Sequence, residues 1–155
     1  MYKLLIFAVI LTSLLSGCSL FQSEVESSPP PKICKLLVNT AYCQIGKTYK
    51  PGGTTPKGFD CSGLIYYVYQ KNGYKIPRMT TDQAKFGRRV SKDNIMPGDI
   101  LVFRMGDSPR GLHTAIYTGD RCFIHSPSRG KTVKKDTVEK KYWKERLIGV
   151  RRVVK

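Results

Sequence analysis

The sequence predicts a single α+β domain in which helices come first and an antiparallel sheet follows. Two apolar helical segments lie before residue 75, and four strand-like segments lie after residue 98. Turn-forming residues separate the earlier strand-like segments, which favours antiparallel pairing through short connections. A chain of 155 residues can bury one continuous hydrophobic core but not two. We therefore expect the sheet to pack on a central helix, and we expect one site.

The first 17 residues have the pattern of a signal peptide. Lys3 precedes an apolar run from Leu4 to Leu15, and small residues lead up to Cys18. The run is shorter than the ~20 apolar residues that span a bilayer, which favours a cleaved leader over a transmembrane anchor. We assign residues 1–17 to a signal peptide.

The segment Leu15-Ser16-Gly17-Cys18 resembles the bacterial lipobox, in which the cysteine thiol receives a diacylglycerol and the chain is cut just before it. Each buried methylene of an acyl chain contributes ~0.8 kcal/mol, so more than one chain gives stable anchoring. An incidental cysteine in an ordinary cleaved signal is the alternative. The residue after Cys18 is Ser19 and not Asp, and in this the sequence resembles lipoproteins that are sent to the outer membrane. We therefore expect a lipid-anchored protein of the cell envelope, in the outer membrane and facing the periplasm.

Residues 18–32 predict a tether rather than a folded element. They contain Ser, Glu and three consecutive Pro but few residues that could pack, which is typical of an extended, solvated segment. The folded domain is assigned to residues 33–155, and we expect a monomer.

The formal net charge of +16 is high for a small domain. The positive electrostatic potential that this charge produces favours polyanionic partners but does not specify a fold. The export signal argues against nucleic acid as a partner, whereas anionic lipid headgroups and cell-wall polymers fit the compartment. The basic residues are scattered, and the densest run lies at 131–144, so a solvated face is the alternative.

The first half of the chain predicts two helices and a loop. Residues 33–49 have a largely helical pattern, and a loop rich in Gly, Pro and Thr follows over 49–58. A second helix is predicted from about Ser62 to Asn72, and its nearly all-apolar surface indicates the buried central helix. Asp60 is placed to cap its start, and Gly73 to end it.

The second half predicts mostly strands. A short helix is expected after Thr80 or Thr81, with residues 82–86 as its body. The strand-like segments are residues 99–104, 113–118, 121–126 and 147–154.

The cysteines leave the disulfide state open. If Cys18 is lipidated, four cysteines remain, and two disulfides are the simplest expectation in an oxidising compartment. Cys34 and Cys43 are separated by nine residues of predicted helix, which rise about 13.5 Å. A disulfide tolerates only about 4.4 to 6.8 Å between Cα atoms. That pairing therefore requires Cys34 to lie before the helix, and the state of Cys122 is equally open.

Cys61 has the setting of a nucleophile. It lies at the first turn of the predicted central helix, where the positive end of the helix dipole stabilises a thiolate over a thiol. Only the thiolate attacks carbonyl groups well. The neighbours Asp60, Ser62 and Gly63 are small or polar and leave room for a substrate backbone.

His113 and His125 are the only histidines, and they fall on successive predicted strands. If residue 113 pairs with 125, the loop is the three-residue segment 118–120, an ordinary hairpin connection. Both rings then lie on one face with Cβ atoms ~4.5 to 5.5 Å apart. A two-residue loop would place them on opposite faces. In the predicted register His113 accepts the Cys61 proton and His125 fixes its ring, as in a Cys-His-polar triad.

A zinc site is the competing chemistry for the same residue types. Cys61, Cys122, His113 and His125 are acceptable ligands. No C-x-x-C pair is present, and Cys122 alternates to the strand face opposite His125. We therefore predict no metal site.

An ordered set of motifs extends from about Leu36 to Arg152. The set comprises Gly46, Tyr49, Gly52-Gly53, Asp60-Cys61-Ser62-Gly63-Leu64, Pro77-Arg78, Gln83, Pro97-Gly98-Asp99, His113, Ile116-Tyr117, Gly119, Phe123-Ile124-His125-Ser126 and Tyr142-Trp143. This set resembles the NlpC/p60 family of cell-wall cysteine endopeptidases, which are compact relatives of papain. One departure is Lys50-Pro51, where the family often has an aromatic residue.

The resemblance implies a papain-like fold whose central helix carries the nucleophile. It implies a peptidoglycan endopeptidase that cleaves amide bonds of stem peptides or crosslinks through an acyl-enzyme. Cys61 would be the nucleophile, His113 the base and His125 the third polar member. This mechanism requires no metal or organic cofactor.

The resemblance also implies a substrate-binding set. Tyr49 would orient the substrate or bind the oxyanion, and Arg78 would line the cleft. Asp60 and Ser62 would hold the free amine of the first residue of a stem peptide. Two other functions stay open: an amidase or acyltransferase acting on another amide or lipid, and a non-catalytic lipoprotein that binds peptidoglycan.

Overall fold

The computed structural model describes residues 31–108, 111–128 and 131–154. The predicted signal peptide, Cys18 and the tether up to residue 30 lie outside the described residues. Within the described ranges, no helix has the length and apolar character needed to cross a bilayer.

Three of the four described α-helices lie before residue 84, and the strands of the large sheet lie after residue 87. The helices are α1 (Lys32–Tyr42), α2 (Cys61–Lys71), α3 (Thr80–Gln83) and α4 (Lys141–Arg146), with a 3-10 turn at Lys92–Asn94. The strands are β1 (Thr54–Thr55), β2 (Gly58–Phe59), β3 (Arg88–Arg89), β4 (Ile100–Arg104), β5 (Leu112–Gly119), β6 (Cys122–His125), β7 (Lys134–Thr137) and β8 (Leu147–Arg152).

A six-stranded antiparallel sheet forms the centre of the domain, in the order β3-β8-β4-β5-β6-β7. One face packs on α1 and α2, where Leu37 and Leu64 share a buried cluster with Ile116. The other face is covered by α4, whose Trp143 shares a second cluster with Phe123. The α+β prediction, with a helix packed on an antiparallel sheet, is confirmed.

Helix α2 is the central helix that the sequence predicts. The Asp60 side chain caps its start by accepting a hydrogen bond from the Gly63 N–H at 2.7 Å. Gly73 ends the helix with a φ of +85°, a conformation that costs glycine little. Tyr69 on this helix is fully buried. The predicted bounds are correct to within one residue at each end.

Helix α1 is shorter than predicted and ends at Tyr42 rather than near residue 49. The segment after it is held elsewhere, because Gly46 and Tyr49 donate backbone hydrogen bonds to Val133 and Lys131. Cys34 lies inside α1 and is buried, while Cys43 caps its end. The helix therefore separates these two thiols, and all four described cysteines, Cys34, Cys43, Cys61 and Cys122, are free.

The stretch at 131–144 is more structured than its charge suggests. It contains β7 and most of α4, where the sequence indicated a possible solvated basic face. Strand β7 lies at the edge of the sheet, and Lys134 and Lys135 are exposed, so the strand lacks apolar alternation. Helix α4 has six residues and buries only Trp143. The short helix α3 likewise ends at Gln83, before the predicted residue 86.

A buried ion pair joins the last strand to the sheet's centre. Asp99, of which 2% is exposed, accepts hydrogen bonds from the Arg152 Nε at 2.8 Å and terminal nitrogen at 2.7 Å. The hydrogen bond to Asp99 raises the pKa of Arg152. Nearby, the Tyr69 hydroxyl donates to the Gly98 carbonyl at 2.6 Å. These contacts fix the turn before β4 against both β8 and α2.

Candidate active site

Cys61 opens helix α2 at the edge of an open cavity of about 500 Å³. Its Sγ lies 3.6 Å from the Thr80 Oγ1. The cavity is lined by Tyr49, Gly52, Asp60, Cys61, Ser62, Arg78, Met79 and Thr80. The thiol therefore faces a space that a substrate can enter.

Two glycines let the loop before α2 approach the nucleophile closely. A Cβ at Gly63 would lie 1.9 Å from the Gly53 carbonyl oxygen, and a Cβ at Gly53 would lie 2.3 Å from the Gly58 oxygen. In the same place the Asp60 N–H donates to Gly53 at 3.2 Å. Only glycine fits at 53 and 63, so this backbone contact fixes the floor of the cavity beside Cys61.

His113 on β5 and His125 on β6 form a buried pair. The His113 Nε2 lies 2.9 Å from the His125 Nδ1, and the rings are nearly perpendicular with centroids 5.1 Å apart. His113 is 4% exposed and His125 is 0% exposed. Trp143 stacks on His113 at 5.8 Å and meets His125 edge-on at 5.1 Å. The imidazoles are thus shielded from solvent on the α4 face of the sheet.

The register of this hairpin differs from the prediction. Ile116 pairs with Ile124 and Tyr117 with Phe123, so His125 falls opposite residue 115 rather than opposite His113. The two histidines are therefore diagonal neighbours on one face, which still allows their rings to meet. The predicted direct pairing of residues 113 and 125 is wrong by two residues.

The connection explains how both rings still share a face. Gly119 pairs with Cys122, so the loop has only two residues, Asp120 and Arg121, both at positive φ. Without any other irregularity, such a two-residue turn would place the two histidine rings on opposite faces of the sheet. A bulge at Thr118, between the pairs of Tyr117 and Gly119, adds one residue to β5 and restores the shared face.

Burial keeps both imidazoles neutral. It lowers the pKa of His113 to about 4. Burial also lowers the pKa of His125 to about 3, helped by His113, Lys134 and Lys140 and opposed by Asp136. At neutral pH His113 therefore holds an unprotonated nitrogen that can accept a proton. Its Nε2 faces the His125 Nδ1, so the tautomer of the pair determines which His113 nitrogen is unprotonated.

Gln83 connects the helix that carries Cys61 to the strand that carries His113. This side chain is fully buried. Its Nε2 donates to the carbonyls of Ser62 and Pro77, each at 2.9 Å. Its Oε1 accepts from the Thr114 hydroxyl at 3.0 Å. Ser62 follows Cys61 and Thr114 follows His113, so Gln83 ties the backbone beside Cys61 to the strand that carries His113.

Replacing Gln83 by methionine is expected to lower the free energy of unfolding by about 2 kcal/mol, because two buried carbonyls lose their donor. Activity should fall through kcat more than through KM, because Cys61 and His113 shift relative to each other. Urea unfolding and steady-state kinetics measure both effects.

Gln44 offers a matched control. It is also buried, but its Nε2 donates to the carbonyl of Thr40, four residues earlier, at 3.2 Å and so connects no distant segments. Gln44→Met should leave kcat unchanged. Equal losses of kcat in the two variants would contradict a specific role for Gln83.

Asp60, Ser62 and Arg78 form one network at the cavity wall. Arg78 donates to the Asp60 Oδ2 at 2.6 Å and to the Ser62 Oγ at 2.7 Å. Oδ2 of Asp60 also accepts from the Gly52 N–H at 2.9 Å, while Oδ1 accepts from Gly63 and lies 3.4 Å from the Ser62 Oγ. A carboxylate offers about four such positions. The Asp60 carboxylate is therefore fully engaged within the protein.

A family model described as the NlpC/P60 family matches residues 46–152, the region that contains both the cavity and the histidine pair. The chain belongs to the NlpC/P60 family. Two Escherichia coli relatives support the assignment. The chain is 32% identical to the probable endopeptidase NlpC, over 95% of this chain and 99% of that protein. It is 38% identical to the murein DD-endopeptidase MepS/murein LD-carboxypeptidase, over 70% of this chain and 57% of that protein.

Solved structures of NlpC/P60 proteins share the fold. The chain is 33% identical to a Bacillus cereus family member, with a TM-score of 0.73 over 80% of this chain and 41% of that one. It is 34% identical to the NlpC/p60 domain of the peptidoglycan hydrolase SagA, with a TM-score of 0.67 over 77% of this chain and 98% of that one.

Several NlpC/P60 relatives are much longer than this chain. It is 36% identical to the Bacillus subtilis gamma-DL-glutamyl hydrolase over 97% of its own length, but covers only 36% of that protein. It covers 40% and 51% of two further relatives, a Bacillus subtilis dipeptidyl-peptidase and the Escherichia coli probable endopeptidase YafL.

The structure brings together most of the residues that the NlpC/P60 resemblance singles out. Tyr49, Asp60, Ser62 and Arg78 line one cavity with Cys61. The histidine pair is not among the residues described as lining that cavity: its rings pack with Trp143 on the α4 face of the sheet, whereas α2, which carries Cys61, packs on the other face. Within the described ranges, no group of three or more His, Cys, Asp or Glu side chains converges as metal ligands would.

Three contacts in this NlpC/P60 site were missed by the sequence reasoning. They are the Thr80 hydroxyl beside Cys61, the Gln83 link and the Trp143 cover over both histidines. Gln83 and Trp143 belong to the ordered motifs, so the signal was present. Their roles depend on tertiary contacts between distant segments. The order of the motifs along the chain does not show which segments come into contact.

Proposed function

We propose that this protein is a cysteine endopeptidase that cleaves amide bonds in peptidoglycan, in stem peptides or in crosslinks. The proposal rests on one observation, the presence in one domain of a cysteine at a helix start and a buried pair of histidines. Cys61 opens a buried helix at a cavity, and a solvent-shielded His113–His125 pair lies on β5 and β6, of which β5 packs against that helix. Family members with names that include murein endopeptidase and peptidoglycan hydrolase support the substrate class.

The chemistry follows the order of an acyl transfer. The Cys61 Sγ attacks the scissile carbonyl carbon while its proton passes to the His113 Nδ1, a transfer that requires the two side chains to come within hydrogen-bond reach. The tetrahedral intermediate then expels the amine, which takes that proton, and a thioester remains on Cys61. Water attacks the thioester, gives one proton to His113 and releases the carboxyl product. The proton returns to the sulfur and restores the resting site.

The surrounding groups stabilise charge during these steps. His125 accepts the hydrogen bond of the His113 Nε2–H and so orients the imidazole and stabilises the imidazolium. The Cys61 backbone N–H, at the start of α2, is placed to donate to the oxyanion. The Tyr49 side chain lines the same cavity and would orient the substrate or add a second donor.

The network of Asp60, Ser62 and Arg78 forms the substrate-binding wall in this proposal. The free amine of a stem peptide's first residue would approach the Asp60–Ser62 edge. Because Arg78 already engages the Asp60 carboxylate at 2.6 Å, that amine would take the place of the long 3.4 Å contact from the Ser62 Oγ rather than replace the arginine. Arg78 therefore keeps the wall in its binding geometry.

Replacing Arg78 by glutamine is expected to raise KM for muropeptides about tenfold with little change in kcat, because the lost contacts affect bound substrate and transition state equally. Steady-state kinetics on a soluble muropeptide measure this split. Arg89→Gln is the matched control, since Arg89 is exposed on β3 and does not line the cavity. A lower KM for peptides with a free amine would contradict the proposal and indicate competition between that amine and Arg78.

We further propose that the protein is anchored in the cell envelope. Residues 1–17 would be the signal peptide, Cys18 the lipidated N-terminus, and residues 18–32 the tether to the catalytic domain at 33–155. The outer membrane, facing the periplasm, is the proposed location. Mass spectrometry of the mature N-terminal peptide tests this, because lipidation predicts an acylated Cys18 and no residue before it.

Mass spectrometry of purified sacculi digested with the protein tests the proposed reaction. New peptide fragments, absent after digestion with protein alkylated at Cys61, would identify both the peptidase and the bond. Fragments of equal yield from alkylated protein would contradict the cysteine mechanism. Folded, unalkylated protein that releases no fragments but hydrolyses another amide or lipid would indicate the alternative acyl chemistry. Binding to sacculi without turnover would indicate the non-catalytic role.

A further inference from the structure

One ring nitrogen of His125 takes no part in the contact between the two histidines. Its Nδ1 meets the His113 Nε2, but its Nε2 is buried and has no hydrogen-bond partner within the described ranges. In a neutral imidazole one nitrogen carries a proton and the other accepts. The surroundings of His125 therefore decide which nitrogen carries the proton.

Asp136 lies on the side of His125 away from His113. Strand β6 lies between β5 and β7, so the two neighbours of His125 flank it from opposite sides. Asp136 pairs with Phe123, two residues before His125, and residues that pair directly share a face. Phe123 and His125 also face the same way, since their rings are 5.2 Å apart. Asp136 is therefore a diagonal neighbour of His125 on the same face.

The Asp136 carboxylate is a buried negative charge. Its side chain is 6% exposed, and it accepts from the Lys140 Nζ at 2.7 Å and from the Thr137 N–H at 2.8 Å. Burial alone would raise its pKa, but hydrogen bonds from Lys140, the Thr137 backbone and Trp143 outweigh burial and lower it. The carboxylate is therefore ionised at neutral pH.

Two lysines also face His125, but their charges are solvated. Lys134 lies 3.9 Å from the Asp136 carboxylate and its side chain is 52% exposed, while that of Lys140 is 61% exposed. Solvent screens exposed charges more strongly than buried ones. The buried carboxylate is therefore the least screened charge on the β7 side of His125, although Lys134 and Lys140 oppose it by lowering the pKa of this imidazole.

We propose that Asp136 is a positioning residue that holds His125 in the tautomer with its proton on Nε2. The Nδ1 of His125 must then accept from the His113 Nε2–H, which leaves the His113 Nδ1 unprotonated. That nitrogen is the one that receives the Cys61 proton. The opposite tautomer would put a proton on the His113 Nδ1 and remove the base. This catalytic consequence rests on the proposed peptidase function, whereas the tautomer does not.

Nitrogen-15 NMR of the labelled protein at pH 7 tests the tautomer directly. The chain has only two histidines, so the imidazole region contains two ring systems and is simple to assign. We expect both His113 and His125 to carry their protons on Nε2. A proton on the His125 Nδ1 in the unmodified protein would overturn the proposal, whatever the enzymatic rate.

Asp136→Asn tests the cause. This variant keeps the side-chain shape but removes the charge, and we expect a mixture of His125 tautomers and a kcat lower by about tenfold, equivalent to ~1.4 kcal/mol. The KM should change little, because Asp136 is outside the substrate cavity. Asp136→Glu should restore most of the Nε2 tautomer. Unchanged tautomers in a folded Asp136→Asn protein would overturn the proposal.

Lys140→Met is the matched control, because it breaks the same ion pair but leaves the carboxylate. If Asp136 acts on His125, this variant keeps the tautomer and the kcat of the unmodified protein. If Asp136 only anchors the start of α4, Lys140→Met reproduces the loss seen in Asp136→Asn, and the proposal fails. Absence of any peptidase activity with the expected tautomers intact would count against the proposed function alone.

Discussion

Replacing Cys61 by alanine is expected to lower the peptidase rate by a factor of about 10⁵ to 10⁶, the loss typical of removing a nucleophile from a triad. The residual rate would come from substrate binding and the oxyanion donor. The fold should survive, because the contact that the structure shows for the sulfur is the 3.6 Å approach to Thr80, and the Asp60 cap of α2 is unaffected. Kinetics on muropeptides and circular dichroism measure the two effects.

Two further variants make this result specific. Cys43→Ala removes an exposed thiol at the end of α1 and should keep full activity. The double variant Cys61→Ala/His113→Gln should be no slower than Cys61→Ala alone, because the two groups act as a unit. An additive loss in the double variant would show that His113 acts outside the reaction of Cys61. Retained activity in Cys61→Ala would exclude the covalent mechanism.

The local features of the fold were predictable where local chemistry determines them. The start of α2 follows from the Asp60 cap, and its end follows from Gly73, the residue that adopts the left-handed conformation. The antiparallel order of the central strands follows from short connections. Strand β7 was missed because an edge strand with exposed lysines lacks the apolar alternation that identifies a strand.

The histidine register shows where such reasoning stops. In a regular hairpin, the loop length alone determines whether the two histidine rings share a face. Direct pairing of His113 with His125 needs a three-residue loop. The chain instead uses two turn residues, Asp120 and Arg121, and a bulge at Thr118. The shorter turn moves the rings to opposite faces and the bulge returns them to one face. The rings therefore share a face, but not because of a three-residue loop. A bulge has no sharp sequence signature when its residue is not glycine.

The site was predictable to a similar extent. Cys61, His113 and His125 stood out because few residue types can serve as nucleophile and base. The connections among them come from separate segments, as Gln83 reaches both Ser62 and Thr114. Asp136 was even less visible, because an acidic residue within a basic run carries no signal of burial. Only the pairing of β6 with β7 places it beside His125.

Acidification is expected to destabilise the protein strongly between pH 6.5 and pH 4. Burial lowers the pKa of His113 to about 4 and that of His125 to about 3, from an ordinary value of 6.5. In this interval the unfolded chain binds protons that the folded chain does not, so the free energy of unfolding falls as the pH falls. Each pKa unit corresponds to ~1.4 kcal/mol, so His113 alone contributes about 3 kcal/mol. His125 acts in the same direction, because its pKa is also lowered by burial.

Urea unfolding at several pH values measures this dependence. The slope between pH 5 and 6.5 is the informative quantity, because the two histidines are the only side chains with ordinary pKa values in that range. Carboxylates such as Asp136, whose pKa is lowered, contribute at more acidic pH. In the double variant His113→Gln/His125→Gln the slope should nearly vanish, since no buried imidazole remains to be protonated on unfolding. An unchanged slope in that variant would mean that the histidines are not buried as neutral groups, and the general-base role of His113 would lose its physical basis.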